Sequence, residues 1–327
     1  MSLHDERPIR PSGFFESARS VSRFIVLWFV PVAAFAYTCG AVVGDVNVGQ
    51  TVRIFLSSTE LLCITLGFFG VCFALERVAP YRADWNQFGR AERNDWALYF
   101  LAVIPSEVVA RALVFAVVPW LVAQSPVSPS HFWPDSLPLW VQVALGLLCF
   151  DFAYYWYHRL SHEHEWLWAW QRLHHTPEYL IASKGFRHTF VEWGADIVLH
   201  TTFFALVGMP PGVIFWVYAI SMPIGILSHA NIGVPNLPGL AAFLNLPGAH
   251  RIHHDRDLLG GGLKNYSAFT MFWDHVFGTF VSPERYTPRS LGVTEYDVPE
   301  NIGQLWFSFS PRLSAYFPKQ SDAASKT

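Results

Sequence analysis

Closely spaced histidines are the residues in this sequence with the clearest chemistry. Of the 14 histidines, eleven lie between residues 158 and 254, and most stand in four short segments, HRLSH, QRLHH, SHAN and HRIHH. Within HRLSH and HRIHH, a spacing of three or four residues puts imidazoles on one face of a helix. The eight histidines of these segments are His158, His162, His174, His175, His229, His250, His253 and His254.

A shared metal centre is the chemistry that this pattern predicts. Neutral imidazole is a good ligand for zinc, copper, iron and nickel, whereas uncompensated polar groups near lipid are costly. Eight histidines exceed the four positions of one tetrahedral zinc site, so we predict two metal ions. His188, in the segment FRHTFVE, is a further candidate ligand.

The elements that must position these histidines are apolar helices. The composition is 52% hydrophobic and 14% charged, whereas soluble domains carry about 25% charged residues. A helix needs about 20 apolar residues to span a bilayer, and four apolar stretches suit that length: 24–43, 54–75, 96–122 and 139–157. A fifth, 195–227, is split by GMPPG and predicts a helical hairpin or a tilted pair.

The fold that we predict is all-α: an integral membrane protein with about four transmembrane helices, a helical hairpin and a cytoplasmic histidine-rich helical cap. Basic residues favour the cytoplasmic side. The loop 123–138 has no lysine or arginine, whereas the N-terminal lead and the histidine-rich half have several. Both termini are therefore expected in the cytoplasm. The predicted organisation is an N-terminal membrane region (1–138), a catalytic region (139–282) and a C-terminal tail (283–327).

Together with the later segment NYSAFTMFWDHVFGTF, the histidine segments resemble the fatty acid hydroxylase / sterol desaturase superfamily of membrane non-haem di-iron enzymes. The resemblance covers about residues 151–280. It implies a monooxygenase that uses two iron ions and O2 to hydroxylate a C–H bond of a lipid or sterol, with the eight histidines as ligands. Zinc can replace iron on heterologous expression, because availability helps to decide which metal is bound.

Two positions carry the predicted catalytic roles. Gln171 stands where the resemblance implies a histidine, three residues before His174. It either substitutes for that ligand, leaves a metal position open for oxygen, or marks a chain that has lost turnover. Asn231 follows His229 by two residues and is predicted to hold a metal-bound water. Metal-bound histidines commonly pass their second N–H to a carboxylate, and the candidates for such supporting roles are Asp151, Glu192, Asn231, Asp255 and Asp274.

The partners follow from what the sequence holds and lacks. It has no cytochrome b5-like haem motif and no cysteine cluster, so we expect a separate reductase, ferredoxin or cytochrome as electron donor. The net charge of −3 gives no reason to expect a nucleic-acid partner. The expected location is a bacterial inner membrane, or the endoplasmic reticulum in a eukaryote. The glycine-rich segment 258–265 is a candidate lid or linker.

The sequence leaves three alternatives to a hydroxylase. A desaturase of lipids or sterols begins with the same C–H abstraction. A non-catalytic metal-bearing membrane protein that binds lipid is supported by Gln171. A zinc-dependent hydrolase is disfavoured, because the sequence has no HExxH motif to supply a general base.

Overall fold

A computed structural model describes residues 14–43, 59–86, 89–124, 132–237, 239–258 and 264–293. Within these residues the chain is helical and forms only isolated bridges, without strands, which confirms the predicted all-α class. The predicted tail, 283–327, is described only as far as residue 293, and residues 259–263 of the glycine-rich segment lie outside the described residues.

The N-terminal half supplies helices that precede the histidine segments. They are α1 (Phe14–Phe24), α2 (Val30–Val43), α3 (Thr59–Val78), α4 (Arg90–Leu98) and α5 (Ile104–Gln124). A π-helical turn at Ile25–Phe29 joins α1 to α2, and another at Tyr99–Val103 joins α4 to α5. Both pairs are therefore continuous helices with one widened turn.

The C-terminal half carries the histidines. Its helices are α6 (Leu139–Glu163), α7 (Glu165–His175), α8 (Phe190–Val207), α9 (Pro211–His229), α10 (Leu240–Phe243), α11 (Pro247–His253) and α12 (Phe272–Val276). Short 3-10 turns lie at Ala83–Trp85, Ala182–Phe186 and Arg256–Leu258. One extended residue, His164, separates α6 from α7, so α7 turns away from the axis of α6 and packs beside it.

Five stretches among the described helices are long and apolar enough to cross a membrane: Ala18–Ala41, Glu92–Val114, Leu139–Glu163, Phe190–Val207 and Pro211–His229. The first three overlap the predicted stretches 24–43, 96–122 and 139–157. The predicted stretch 54–75 corresponds to α3, and residues 54–58 lie outside the described residues. This is the pattern of a multi-pass membrane protein.

The predicted hairpin at 195–227 is formed by α8 and α9, and each of its helices reaches spanning length on its own. The apolar run underestimates α8, because a capping box extends the helix upstream: Thr189 and Glu192 each accept from the other's backbone N–H. α8 then ends at Gly208, whose φ of 74° suits a residue without Cβ. Pro211 starts α9, at a position where the missing N–H is not needed.

Small residues let the spanning helices approach closely. A Cβ on Gly146 of α6 would lie 2.7 Å from Val217 of α9, and one on Gly194 of α8 would lie 2.7 Å from the hydroxyl of Ser106 in α5. Close backbone approach of this kind is the usual basis of helix packing in membranes. The result is a helix bundle whose ends carry the histidine segments.

Candidate metal centre

Helix ends bring the histidine segments together. His158 and His162 lie in the last two turns of α6, and His229 is the last residue of α9. The adjacent pair His174–His175 ends α7, and the HRIHH segment occupies the end of α11 and the residue after it. Because α7 packs back against α6, the rings of His162 and His175 lie 4.6 Å apart.

The structure divides eight of the predicted ligands into two groups of four. In each group, one possible ligand atom from every residue lies within 4.8 Å of the others. Site A consists of His158, His162, His175 and His253, and site B consists of His174, His229, His250 and His254. All are buried except His162, which is half-buried.

Each pair of adjacent histidines is divided between the two sites. His174 belongs to site B and its neighbour His175 to site A, and His253 and His254 are divided in the same way. The rings of His175 and His254, from different sites, stack with centroids 4.4 Å apart. Sites A and B therefore lie side by side, linked by two HH pairs.

The ring nitrogens converge as metal ligands would. In site B, Nε2 of His229 lies 3.1 Å from Nε2 of His174 and 2.8 Å from Nε2 of His250. In site A, the Nε2 atoms of His253 and His175 lie 3.2 Å apart. Zinc–imidazole bonds are about 2.0–2.1 Å long, so two nitrogens bound to one tetrahedral ion lie about 3.3 Å apart. The observed nitrogen–nitrogen distances are close to this separation.

Backbone carbonyls hold several imidazoles in the tautomer that a metal requires. Nδ1 of His158 donates to the carbonyl of Tyr266 at 2.7 Å, and Nδ1 of His253 donates to that of Lys264 at 3.0 Å. Nδ1 of His229 donates to the carbonyl of Gly225, one turn earlier in α9, at 2.9 Å. A proton on Nδ1 leaves the lone pair of Nε2 available for a metal.

Burial keeps the cap histidines neutral. Burial and the neighbouring imidazoles lower the pKa of five histidines outside the spanning helices well below the usual range: His174, His175, His250, His253 and His254. In addition, Nε2 of His158 and both ring nitrogens of His162 are buried without a hydrogen-bond partner. Neutral nitrogens that converge and lack partners fit a pair of metal ions.

His188 lies beside site B rather than in either group. Its ring stacks on His174 with centroids 4.3 Å apart. Its Nδ1 lies 2.8 Å from Oε1 of Glu192. Burial disfavours the charged imidazole, but the charge and hydrogen bond of Glu192 outweigh burial and raise the pKa of His188. Its role as a ligand stays a prediction.

The two predicted catalytic residues occupy different places. Gln171 is buried on α7, one turn before His174. The Asn231 amide donates to the carbonyl of Arg82 at 2.7 Å and to Oδ1 of Asn86 at 2.8 Å, and it accepts from the backbone N–H of Arg82. Asn231 thus fastens the 82–86 loop to the end of α9, and its role towards a metal-bound water stays a prediction.

The supporting carboxylates mostly contact backbone rather than imidazole. Asp151 accepts from the backbone N–H groups of residues 269 and 270, and Asp274 accepts from those of residues 266 and 267. Asp255 accepts from the hydroxyl of Tyr286. Of the predicted carboxylates, Glu192 contacts a histidine. Asp151 and Asp274 support the imidazoles indirectly, because they hold the segment whose Tyr266 carbonyl orients His158.

Glu76 and Asp95 are among the buried acids that were missed from the sequence. Oε1 of Glu76 in α3 accepts from the backbone N–H groups of Ala182 and Asn231, at 2.7 and 2.9 Å. Asp95 in α4 binds Lys184 and Arg187 at 2.6 and 2.8 Å. Both tie the first half of the bundle to the histidine segments. The signal that could have found them is an acidic residue close to a long apolar stretch.

A cavity of about 460 Å³ adjoins both sites. Its lining includes His158 from site A and His229 from site B. Apolar side chains from α2, α3 and α9 line much of the remainder, among them Phe35, Leu62 and Phe215. A mostly apolar cavity with a few polar groups is typical of a small-molecule site, and here the convergent polar groups are metal-ligand candidates.

The chain is similar in sequence to known proteins. A family model for fatty acid hydroxylases matches residues 143–279. The chain is 32% identical over 249 residues to ornithine lipid hydroxylase OlsE of Rhizobium tropici, covering 76% of this chain and 75% of that protein.

More distant similarity extends to animal proteins. The chain is 32% identical over 150 residues to human alkylglycerol monooxygenase, covering 45% of this chain and 31% of that protein. The Danio rerio alkylglycerol monooxygenase is 33% identical over 154 residues, or 46% of this chain and 32% of that protein. The chain thus spans about a third of those proteins. No solved structure matches the chain significantly.

Proposed function

This chain belongs to the fatty acid hydroxylase family, and we propose that it is a membrane-bound monooxygenase that hydroxylates a C–H bond of a lipid with two iron ions and O2. The observation that carries the proposal is the pair of four-histidine groups, side by side, at one apolar cavity. An enzyme that oxidises lipids needs its oxidant next to a cavity that admits an apolar chain.

Sites A and B are the proposed iron sites. Iron bound there would supply the reduction of O2 and the oxidation of the C–H bond. Imidazole suits iron as well as zinc, and the family favours iron. One oxygen atom enters the product as a hydroxyl group and the other leaves as water, so each turnover consumes two electrons and two protons from a donor.

The residues of the chain orient the metal-binding imidazoles and protect the oxidant from side reactions. The carbonyls of Tyr266, Lys264 and Gly225 keep protons on Nδ1 and thereby aim Nε2 into the sites. The mostly apolar cavity walls would keep water away from the oxidant and so limit its side reactions. The region at 139–282 is the proposed catalytic region, preceded by an N-terminal membrane region.

The electron donor is proposed to be a separate reductase, ferredoxin or cytochrome. The four cysteines are Cys39, Cys63, Cys72 and Cys149, all in apolar helices and none in a disulfide. They supply no ligand cluster for an iron–sulfur centre, which supports delivery of electrons by another protein. A donor in the cytoplasm would dock on the histidine-rich cap, which the positive-inside rule places on the cytoplasmic side.

The substrate is proposed to be a membrane lipid with a polar headgroup. The relatives are named for ornithine lipid and alkylglycerol, and both are amphiphiles. The similarity to a Rhizobium protein over three quarters of the chain also supports a bacterial inner membrane as the location.

Labelling with heavy dioxygen tests this function. Cells that express the chain are grown under isotopically heavy O2, and their lipids are compared by mass spectrometry with those of cells that carry an empty vector. A hydroxylase places the label in a lipid. His229→Ala, in site B, should abolish labelling, whereas His164→Ala should preserve it, because His164 is exposed and outside both groups.

Each other outcome identifies an alternative. A lipid that loses two hydrogens without gaining label would make the chain a desaturase. Unchanged lipids, with two metals per chain and a supplied electron donor, would make it a non-catalytic metal-bearing protein. Equal labelling with His229→Ala would place the reaction outside these histidines.

A further inference from the structure

Apart from the histidines of sites A and B, four aspartate, glutamate, arginine or histidine side chains of the spanning helices line the cavity. Glu107 and Arg111 belong to α5, and Asp196 and His200 belong to α8. Ionisable groups in a spanning helix are costly, and they persist where they pair with one another or bind a ligand. Each of the four is therefore expected to have an ion-pair or hydrogen-bond partner within the chain or in a ligand.

Glu107 and Arg111 satisfy each other. They form an ion pair one helical turn apart, and the guanidinium of Arg111 lies over the ring of Tyr218 at 5.6 Å. Among the described residues that line the cavity, Arg111 is the one lysine or arginine. Its positive charge is thus engaged with Glu107.

Asp196 and His200 are less well satisfied. Oδ1 of Asp196 lies 3.2 Å from Nδ1 of His200, one turn further along α8. Neither this oxygen nor Nε2 of His200 makes a hydrogen bond, although both atoms are buried. The Asp196 side chain is nevertheless 20% exposed, and the residue is among those that line the cavity. Among the described residues that line the cavity, Asp196 is the acid that forms no ion pair with a lysine or arginine.

A stack of rings connects this pair to site A. The His158 ring lies 5.0 Å from that of Tyr154, and the Tyr154 ring lies parallel to that of His200 at 6.0 Å. The His200 ring also stacks on Phe150 at 4.6 Å. Asp196 and His200 therefore stand on the same wall as the histidines, two ring contacts away.

Building on the proposed function, we propose that Asp196, backed by His200, binds a hydrogen-bond donor of the lipid substrate, either a hydroxyl group or an ammonium group. A carboxylate only accepts hydrogen bonds, and His200 with its proton on Nδ1 offers an acceptor at Nε2. Charged acceptors prefer O–H and N–H donors. Anchoring the polar group here fixes which carbon of the lipid lies beside site A.

A substrate without the donor would be rejected. It would leave the Asp196 carboxylate desolvated and unpaired, and sites that bind a polar group discriminate strongly against analogues that lack it. A hydrogen bond to a charged group is stronger than one between neutral groups, so we expect its loss to lower the affinity at least about tenfold. The proposed substrate class is therefore a lipid with a free hydroxyl or amine, not a plain acyl chain.

Binding of matched lipid pairs tests the proposal without turnover. The probes are ornithine lipid with its N-phthaloyl form, whose imide nitrogen has no N–H, and a 1-O-alkylglycerol with its di-O-methyl form. Affinity is measured by equilibrium dialysis with the metal-loaded full chain and no electron donor. The free form of at least one pair should bind about tenfold more tightly than the capped form, and the pair that shows this preference separates an ammonium group from a hydroxyl group.

Variants then assign the preference to Asp196. Asp196→Asn removes the charge and Asp196→Leu removes the acceptor, and both should bring the two affinities to within about twofold. His200→Phe keeps the stacked ring and should weaken the preference. Leu199→Ala, at an exposed position of the same helix, should leave it unchanged. Metal content, measured in parallel, verifies that each variant keeps sites A and B.

Several outcomes would overturn the proposal. They are a wild-type preference near unity in both pairs, a lack of binding by both free lipids, and a preference that survives Asp196→Leu. Turnover with an added electron donor separates the two hypotheses. Selective binding without any oxidised product would refute the proposed function and leave the donor site standing, whereas equal oxidation of free and capped lipids would do the reverse.

Discussion

Replacing Asp95 should destabilise the bundle more than any change in surface charge. Its carboxylate is buried and binds Nζ of Lys184 at 2.6 Å and Nη1 of Arg187 at 2.8 Å. Arg187 also donates to the carbonyl of Leu173 and the hydroxyl of Thr176, at the end of α7. Asp95 thus holds, through Arg187, the helix that carries His174 and His175.

The expected loss of stability is large because the change leaves two buried cations, Lys184 and Arg187, without their shared carboxylate. Breaking a buried pair by removing one partner costs about 3–5 kcal/mol, because the remaining charge is uncompensated. Asp95→Asn preserves shape and should therefore lower the unfolding temperature of the detergent-solubilised chain clearly. The matched control is Asp84→Asn, which breaks an Asp–Arg pair of similar length, 2.7 Å, whose side chains are 52% and 59% exposed. It should change the unfolding temperature little.

The loss of stability caused by Asp95→Asn should also depend on pH. Burial lowers the pKa of Lys184, and the charge of Asp95 partly offsets that effect. Without Asp95, the pKa of Lys184 falls further below that of the unfolded chain. The unfolded state then binds more protons, so stability rises with pH. This loss of stability should shrink between neutral pH and the ordinary pKa of lysine. Equal unfolding temperatures for Asp95→Asn and Asp84→Asn would refute the reasoning.

Further predictions concern packing, Gln171 and orientation. Gly146→Val should cost about 1–3 kcal/mol of stability because its Cβ would lie 2.7 Å from a valine of α9. Gly70→Ala should not lower stability, because nothing lies within 4 Å of the added Cβ. Equal unfolding temperatures for the two variants would contradict this packing. Gln171→His should keep or raise metal content and activity if Gln171 substitutes for a ligand. If Gln171 instead leaves a metal position open, the same change should keep both metals but lower turnover. Loss of both metals would show that this segment is wrongly assigned. Cysteines at Ser136 and Glu178 should react with impermeant reagents from opposite sides of the membrane, in a background without native cysteines; labelling from one side would contradict the proposed orientation.

Periodicity and composition were enough for the helical class and for most of the spanning stretches. Those stretches are recognised because their apolar residues are contiguous. α8 was underestimated, since its first turn contains Glu192 and depends on the capping box with Thr189. A local hydrogen-bond motif, rather than hydropathy, sets that boundary.

The metal-binding residue type could be read from the sequence, but the division into two sites could not. Adjacent histidines such as His174 and His175 enter different sites, and only the packing of α6, α7, α9 and α11 determines which goes where. The orienting groups were also hidden, because they are backbone carbonyls, such as that of Tyr266, and every residue has one. Asn231 was expected near the metals, but its amide is bonded to the 82–86 loop from a distant part of the chain.

Metal stoichiometry of the site variants tests the two-site account most directly. The purified, iron-loaded chain is measured by elemental analysis alongside His162→Ala in site A, His229→Ala in site B and the double variant. The account predicts two metals per chain for the wild type, about one for each single variant and almost none for the double variant, because each site has its own set of four histidines. One metal in the wild type, or loss of both metals from either single variant with the fold intact, would contradict it.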